Sequence, residues 1–179
     1  MNTNTESPTL ASLPFLPYLE ENGAIDEALQ KKIGVYAIFN QEQELQFVGY
    51  SRDIYLSLKQ HLVRQPESCY WIKVQTIDRP SRSVLEEIRQ AWIAENGTTP
   101  MGNSSALALW SQPIDAKPTM TAEEKAQYES SEELQKIKIL KKIARRVQAQ
   151  LEEQLNQRRV NMDIRFNPKL KEQGLLDLK

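Results

Sequence analysis

The sequence predicts an α+β fold: a small three-stranded, mainly antiparallel sheet flanked by helices, followed by a long C-terminal helix. Three observations predict it. GVYAIF (34 to 39) and ELQFVGY (44 to 50) are β-branched and aromatic runs separated by the polar tetrad Asn40, Gln41, Glu42 and Gln43, the pattern of a β-hairpin. YWIKVQTI (70 to 77) alternates Trp71, Lys73 and Gln75 with Ile72, Val74 and Thr76, which gives a third strand with one wet face. From 121 to 159 there is no Gly or Pro, and Ile137, Leu140, Ala144, Val147 and Leu151 recur at intervals of three and four, the narrow apolar seam of a long helix.

The remaining elements follow in order. Residues 1–12, rich in Asn, Thr, Ser and Pro, carry too little apolar content to pack and read as a disordered lead. A module follows over 13–103, beginning with an arm, LPFLPYLEENGAIDEAL, that holds a short helical turn. Between Arg52 and Arg64 the residues Ile54, Leu58 and Leu62 line one face of a first helix, and Pro66 stops it. Ser83, with Glu86 three residues on, fits the capping box of a second helix that sets Val84, Ile88 and Trp92 on one face and ends at Gly97. Residues 104–120 read as a linker or irregular cover pinned to the core by Trp110. In the tail, 160–179, Leu175, Leu176 and Leu178 suit either docking or a loose end.

Composition narrows the function. With 179 residues the chain supports one core of ordinary size plus an appendage. Its apolar fraction is 40% and no run approaches membrane length, so no membrane span is expected. The first residues lack a basic segment and are interrupted by prolines at 8, 14 and 17, which argues against a secretory signal and for the cytoplasm. One cysteine, Cys69, and one histidine, His61, leave neither an intrachain disulfide nor a Cys/His zinc cluster to build. The net charge of −1 conceals an asymmetry: residues 1–103 hold 9 Lys/Arg against 13 Asp/Glu, whereas 121–179 hold 13 against 10.

One constellation carries chemistry. Gly34-Val35-Tyr36 is followed by Phe47-Val48-Gly49, then Ser51, a helix bearing His61, and Pro100 and Asn103 beyond a second helix. In order and spacing this resembles the GIY-YIG nuclease family over residues 34 to 103, and it reads like the subgroup of modules joined to plastid monothiol glutaredoxins through QFVGYSR and HL, although no glutaredoxin follows. The resemblance implies a metal-dependent endonuclease ancestry, with Tyr36, His61 and Asn103 as matches to site residues and Gly34, Gly49 and Ser51 as structural matches. It also implies loss. Phe47 replaces the second tyrosine, the arginine position falls on Ser57, and the metal-ligating glutamate position falls on Arg89. Ser57 supplies no cationic fork for a pentavalent phosphate, and Arg89 offers a cation such as Mg²⁺ a positive charge in place of an oxygen. A divalent cation is therefore expected only if catalysis survives, with Glu86, one turn before Arg89, as a displaced ligand or merely a cap partner.

Taken singly, the same residues have simpler readings. Tyr36 in a strand is a core or half-buried aromatic with a satisfied hydroxyl, and His61 has no carboxylate at i±4 to orient it, so Ser57 and His61 do not make a hydrolase dyad. Cys69 reads either as a buried thiol or as an accessible one suited to redox sensing. KIKILKKIARR places Lys136, Lys138, Lys141, Lys142, Arg145 and Arg146 in eleven positions without an acid, either a phosphate-tracking surface or a solvated helix face. Two functions are thus expected. One is nucleic-acid binding by a degenerate module with weak or no phosphodiesterase activity. The other is non-catalytic assembly, in which 121–159 docks on a protein partner.

Overall fold

The computed structural model describes residues 7–179 and forms two compact units divided between Ser111 and Gln112. In the first unit, strands β1 (Leu16–Pro17), β2 (Ile33–Phe39), β3 (Leu45–Ser51) and β4 (Trp71–Ile77) make an antiparallel sheet in the order β1-β4-β2-β3. The α+β expectation holds, with one strand added. β1 is a two-residue edge strand containing a proline, too short to show any alternation in sequence.

The hairpin forms where the polar tetrad predicts, with Gln43 at φ 63° and the Asn40 side chain bonded to Glu44. A bulge between Ile38 and Phe39 shifts the register there, and Tyr36 lies opposite Gly49. Helix α1 (Ile54–Arg64) is capped by Asp53 and fully buries Ile54, Leu58 and Leu62. Helix α2 (Arg82–Asn96) starts earlier than the capping-box reading allows. Ser81, extended and following Pro80, accepts from the Val84 amide at 3.3 Å, so Ser83 lies inside the helix. The buried face consequently uses Leu85 with Ile88 and Trp92, and Val84 is exposed. Gly97 ends the helix at φ 87°.

Alternation along β2 and β3 sends Val35, Ala37, Phe39 and Val48 into a core against α2 and leaves Tyr36 and Phe47 for the other face. The wet face foreseen for β4 is covered. Lys73 is buried, donates to the Leu10 carbonyl at 3.0 Å and lies 4.1 Å over the Phe15 ring. The arm that covers it also corrects the disordered lead. Residues 1–6 fall outside the described residues, but Leu10 is buried in a 3-10 turn (Leu10–Ser12) whose amides at Leu10 and Ala11 donate to the Glu95 carboxylate at 2.8 and 2.7 Å. Part of the anticipated linker is also structured, since a short helix α3 (Leu107–Ser111) follows a 3-10 turn (Met101–Asn103) within the first unit.

In the second unit the single helix expected over 121–159 is two. Helix α4 (Ala122–Ser130), closed by a Thr121/Glu124 capping box, is separated from α5 (Glu133–Gln157) by extended residues Ser131 and Glu132. Ser130 and Ser131 turn their hydroxyls back onto the Gln127 carbonyl, a local competitor to continued helix that a Gly/Pro search does not see. The long α5 buries Leu140, Ile143, Ala144, Leu151 and Leu155. The tail docks: helix α6 (Pro168–Lys171) leads into β6 (Leu175–Leu176), which pairs with β5 (Ile114–Asp115). Among the described residues no helix is long and apolar enough to cross a membrane.

Candidate functional site

The sheet face toward α1 gathers the matched residues of the hairpin and first helix. Tyr36 projects from the middle of β2, and His61 from the last turns of α1. Their side chains meet in a hydrogen bond of 2.8 Å between Oη and Nε2. Opposite Tyr36, Gly49 leaves room for this pair, because a Cβ there would fall 2.7 Å from the Tyr36 hydroxyl and 2.6 Å from Phe47. Gly49 therefore serves side-chain packing across the hairpin.

Phe47 and Trp110 close the site. Their rings stack with centroids 5.3 Å apart and parallel planes, and His61 packs against both at 4.6 and 5.6 Å. Tyr36 is 3% exposed, His61 5%, Phe47 7% and Trp110 3%, so no path for a substrate leads to the pair. Gly102 lets α3 come this close, since a Cβ on it would collide with the Gln46 carbonyl and lie 3.0 Å from both Phe47 and Trp110. Asn103 belongs to the lid rather than to the pair. Its amide group accepts from the Val48 amide and donates to the Val48 carbonyl, each at 2.8 Å, in the manner of an added strand.

Electrostatics keep the pair neutral. Burial pushes the Tyr36 hydroxyl well above its ordinary range, with Ser57 and the positive charge of Arg64 only partly opposing it. Burial, reinforced by Arg64, holds His61 down to about 3, while the neighbouring Trp110 carbonyl pulls the other way. With Tyr36 as donor the imidazole proton sits on Nδ1, a buried atom without a hydrogen bond of ordinary geometry. A base that takes a proton only near pH 3 and a phenol that resists ionisation are both poor agents of proton transfer near neutrality.

Arg64, the last residue of α1, extends to donate to the Trp110 carbonyl at 3.0 Å, and from there its charge reaches both residues. The hydroxyl of Ser57 is turned to Ser51 at 2.7 Å, and Ser51 in turn closes the loop into α1 through Asp53.

Arg89 stands elsewhere, at 3.1 and 2.5 Å from the Glu86 carboxylate and over the Tyr50 ring. With Gln90 also donating, Glu86 is held at about 2. Its oxygens already have partners, and among the described residues no three His, Cys, Asp or Glu side chains converge to hold a metal. The residues present do not fit a divalent cation at the matched position. Cys69 is fully buried, its thiol 3.6 Å from the His61 carbonyl, which removes the accessible-thiol reading.

The basic run of α5 divides into two sets. Arg146 is bound to Glu124 at 2.9 and 3.0 Å, Lys141 to Glu172 at 3.5 Å, and Lys136 lies 5.3 Å over the Tyr128 ring. Lys138, Lys142 and Arg145 are exposed at i, i+4 and i+7, which aligns them on one open stripe.

The neutral, buried His61 makes stability depend on pH. Its pKa is about 3 in the fold against 6.5 for the free side chain, so its stabilising contribution is complete above about pH 6.5 and is lost as pH falls through that window. Each pH unit in the window costs about 1.4 kcal/mol. Denaturation of the wild type and His61→Gln between pH 6 and 4 is expected to show the wild-type advantage shrinking at that rate, and a constant difference would refute the assignment.

No family model matches the chain. Over 101 residues, 54% of the chain, it is 39% identical to the bifunctional monothiol glutaredoxin-S16, chloroplastic, of Arabidopsis thaliana, and it spans 33% of that protein's length.

Proposed function

We propose that the first unit is a GIY-YIG-like module of nuclease lineage whose active site is degenerate, and that the protein binds nucleic acid with weak or no phosphodiesterase activity. The observation that carries this reading is the buried, neutral Tyr36–His61 pair beneath Phe47 and Trp110, with Ser57 and Arg89 at the arginine and glutamate positions. A nuclease needs an open, positively charged cleft, a guanidinium near the scissile phosphate and oxygens for the metal. Here the guanidinium of Arg64 is spent on a backbone carbonyl and the carboxylate of Glu86 on Arg89.

Binding is assigned to the open stripe of Lys138, Lys142 and Arg145. Three phosphate contacts to a single strand imply an affinity that falls with salt at a log–log slope of about −2. Docking on a protein through 121–159 ranks second, since the seam residues Leu140, Ala144 and Leu151 are already buried in their own unit.

The test is cleavage of supercoiled DNA and of RNA with Mg²⁺ or Mn²⁺, alongside a salt series of strand binding. The expected outcome is no cleavage above background for the wild type, and loss of binding on charge reversal of the three stripe residues. Strong cleavage abolished by Tyr36→Phe would contradict the degenerate site, and unchanged binding after charge reversal would contradict the surface.

A further inference from the structure

On the opposite face of the sheet from Tyr36, between the end of β3 and the start of α2, lies a cleft of about 340 Å³. We propose that it binds a small phosphomonoester attached to a compact ring, a ligand of mononucleotide size. The inference uses none of the residues of the Tyr36–His61 pocket and stands apart from the reading above.

Arg52, just beyond β3, and Arg82, the first residue of α2, both line the cleft. They are exposed, and among the described residues neither side chain makes a hydrogen bond or ion pair. The other two arginines of α1 and α2 are engaged, Arg64 with the Trp110 carbonyl and Arg89 with Glu86. Two unpaired guanidiniums on one concavity, with no carboxylate lining it, suit a dianionic phosphate, which a planar fork of donors grips with two oxygens at once.

Apart from Ser51 and Ser81, the rest of the lining is apolar: Pro80 joins Ile33, Tyr50 and Leu85, which continue into the core beneath. A ligand that were only an ion would leave this surface wet, whereas a ring carrying the phosphate covers it against Tyr50. The volume stands at the low end of small-molecule sites, enough for one nucleoside-sized body.

Isothermal titration of the full chain with adenosine 5′-monophosphate, inorganic phosphate and adenosine tests this. Adenosine monophosphate is expected to bind more tightly than either part alone. Arg52→Ala and Arg82→Ala should each weaken it about tenfold and the double variant should abolish it. Both side chains are exposed, so the melting temperature of the variants should stay within about 2 °C of wild type. Absence of binding up to about 10 mM, or binding unchanged in the double variant, would overturn the proposal. So would displacement of the nucleotide, phosphate for phosphate, by an oligonucleotide lacking terminal phosphates, because the cleft would then be reading a backbone diester.

Discussion

Trp110→Ala is expected to destabilise the first unit by about 3 to 5 kcal/mol, the range for removing a large buried aromatic. Trp110 is 3% exposed, stacks on Phe47 and packs on His61. The same substitution admits water to the pair, so the pKa of His61 should climb from about 3 toward 6.5. Denaturant unfolding gives the first quantity and the His61 proton resonance the second. A loss below about 1 kcal/mol would show that the lid is not part of the core.

Gly34→Ala is expected to cost about 3 kcal/mol or more, and to leave little folded protein. Gly34 sits in the central strand, paired to Ser51 on one side and Thr76 on the other. A Cβ there would strike the Gln75 carbonyl oxygen and lie 2.9 Å from the Thr76 Cα, both backbone atoms of the adjacent strand. Neither can rotate away, so β2 and β4 would have to part. Gly97→Ala is the contrast. It has open space around it and only a positive φ to oppose, which limits its cost to about 1 kcal/mol. Urea unfolding of both variants checks the difference, and similar midpoints would contradict it.

Much of the fold could be read from residue pattern because the pattern reports burial. The fourfold spacing of Ile54, Leu58 and Leu62 and the alternation of β2 and β3 are direct imprints of one buried face. What escaped reading depends on contacts distant in sequence. Lys73 looked wet because its aromatic cover comes from Phe15 in the arm. The break between α4 and α5 turns on two serine hydroxyls, and β1 is too short for any period.

At the site, Tyr36 and His61 are both singled out by the sequence, and the structure brings them together. The role of Trp110 as a stacked lid on that pair is not foreshadowed, since nothing local in residues 104–111 announces a partner on β3. The reach of Arg64 is not legible in the sequence for a similar reason: helix geometry places backbones, while a long side chain finds its acceptor in the lid.

His61 is the chain's one histidine, so its ring protons give an unambiguous probe of the pocket. An NMR pH titration of the wild type is expected to leave these resonances unshifted from pH 8 down to about 4, with protonation only near pH 3 or on unfolding. A titration midpoint close to 6.5 in the folded protein would mean that water and protons reach Tyr36 and His61 freely, and the closed, inert pocket would be wrong.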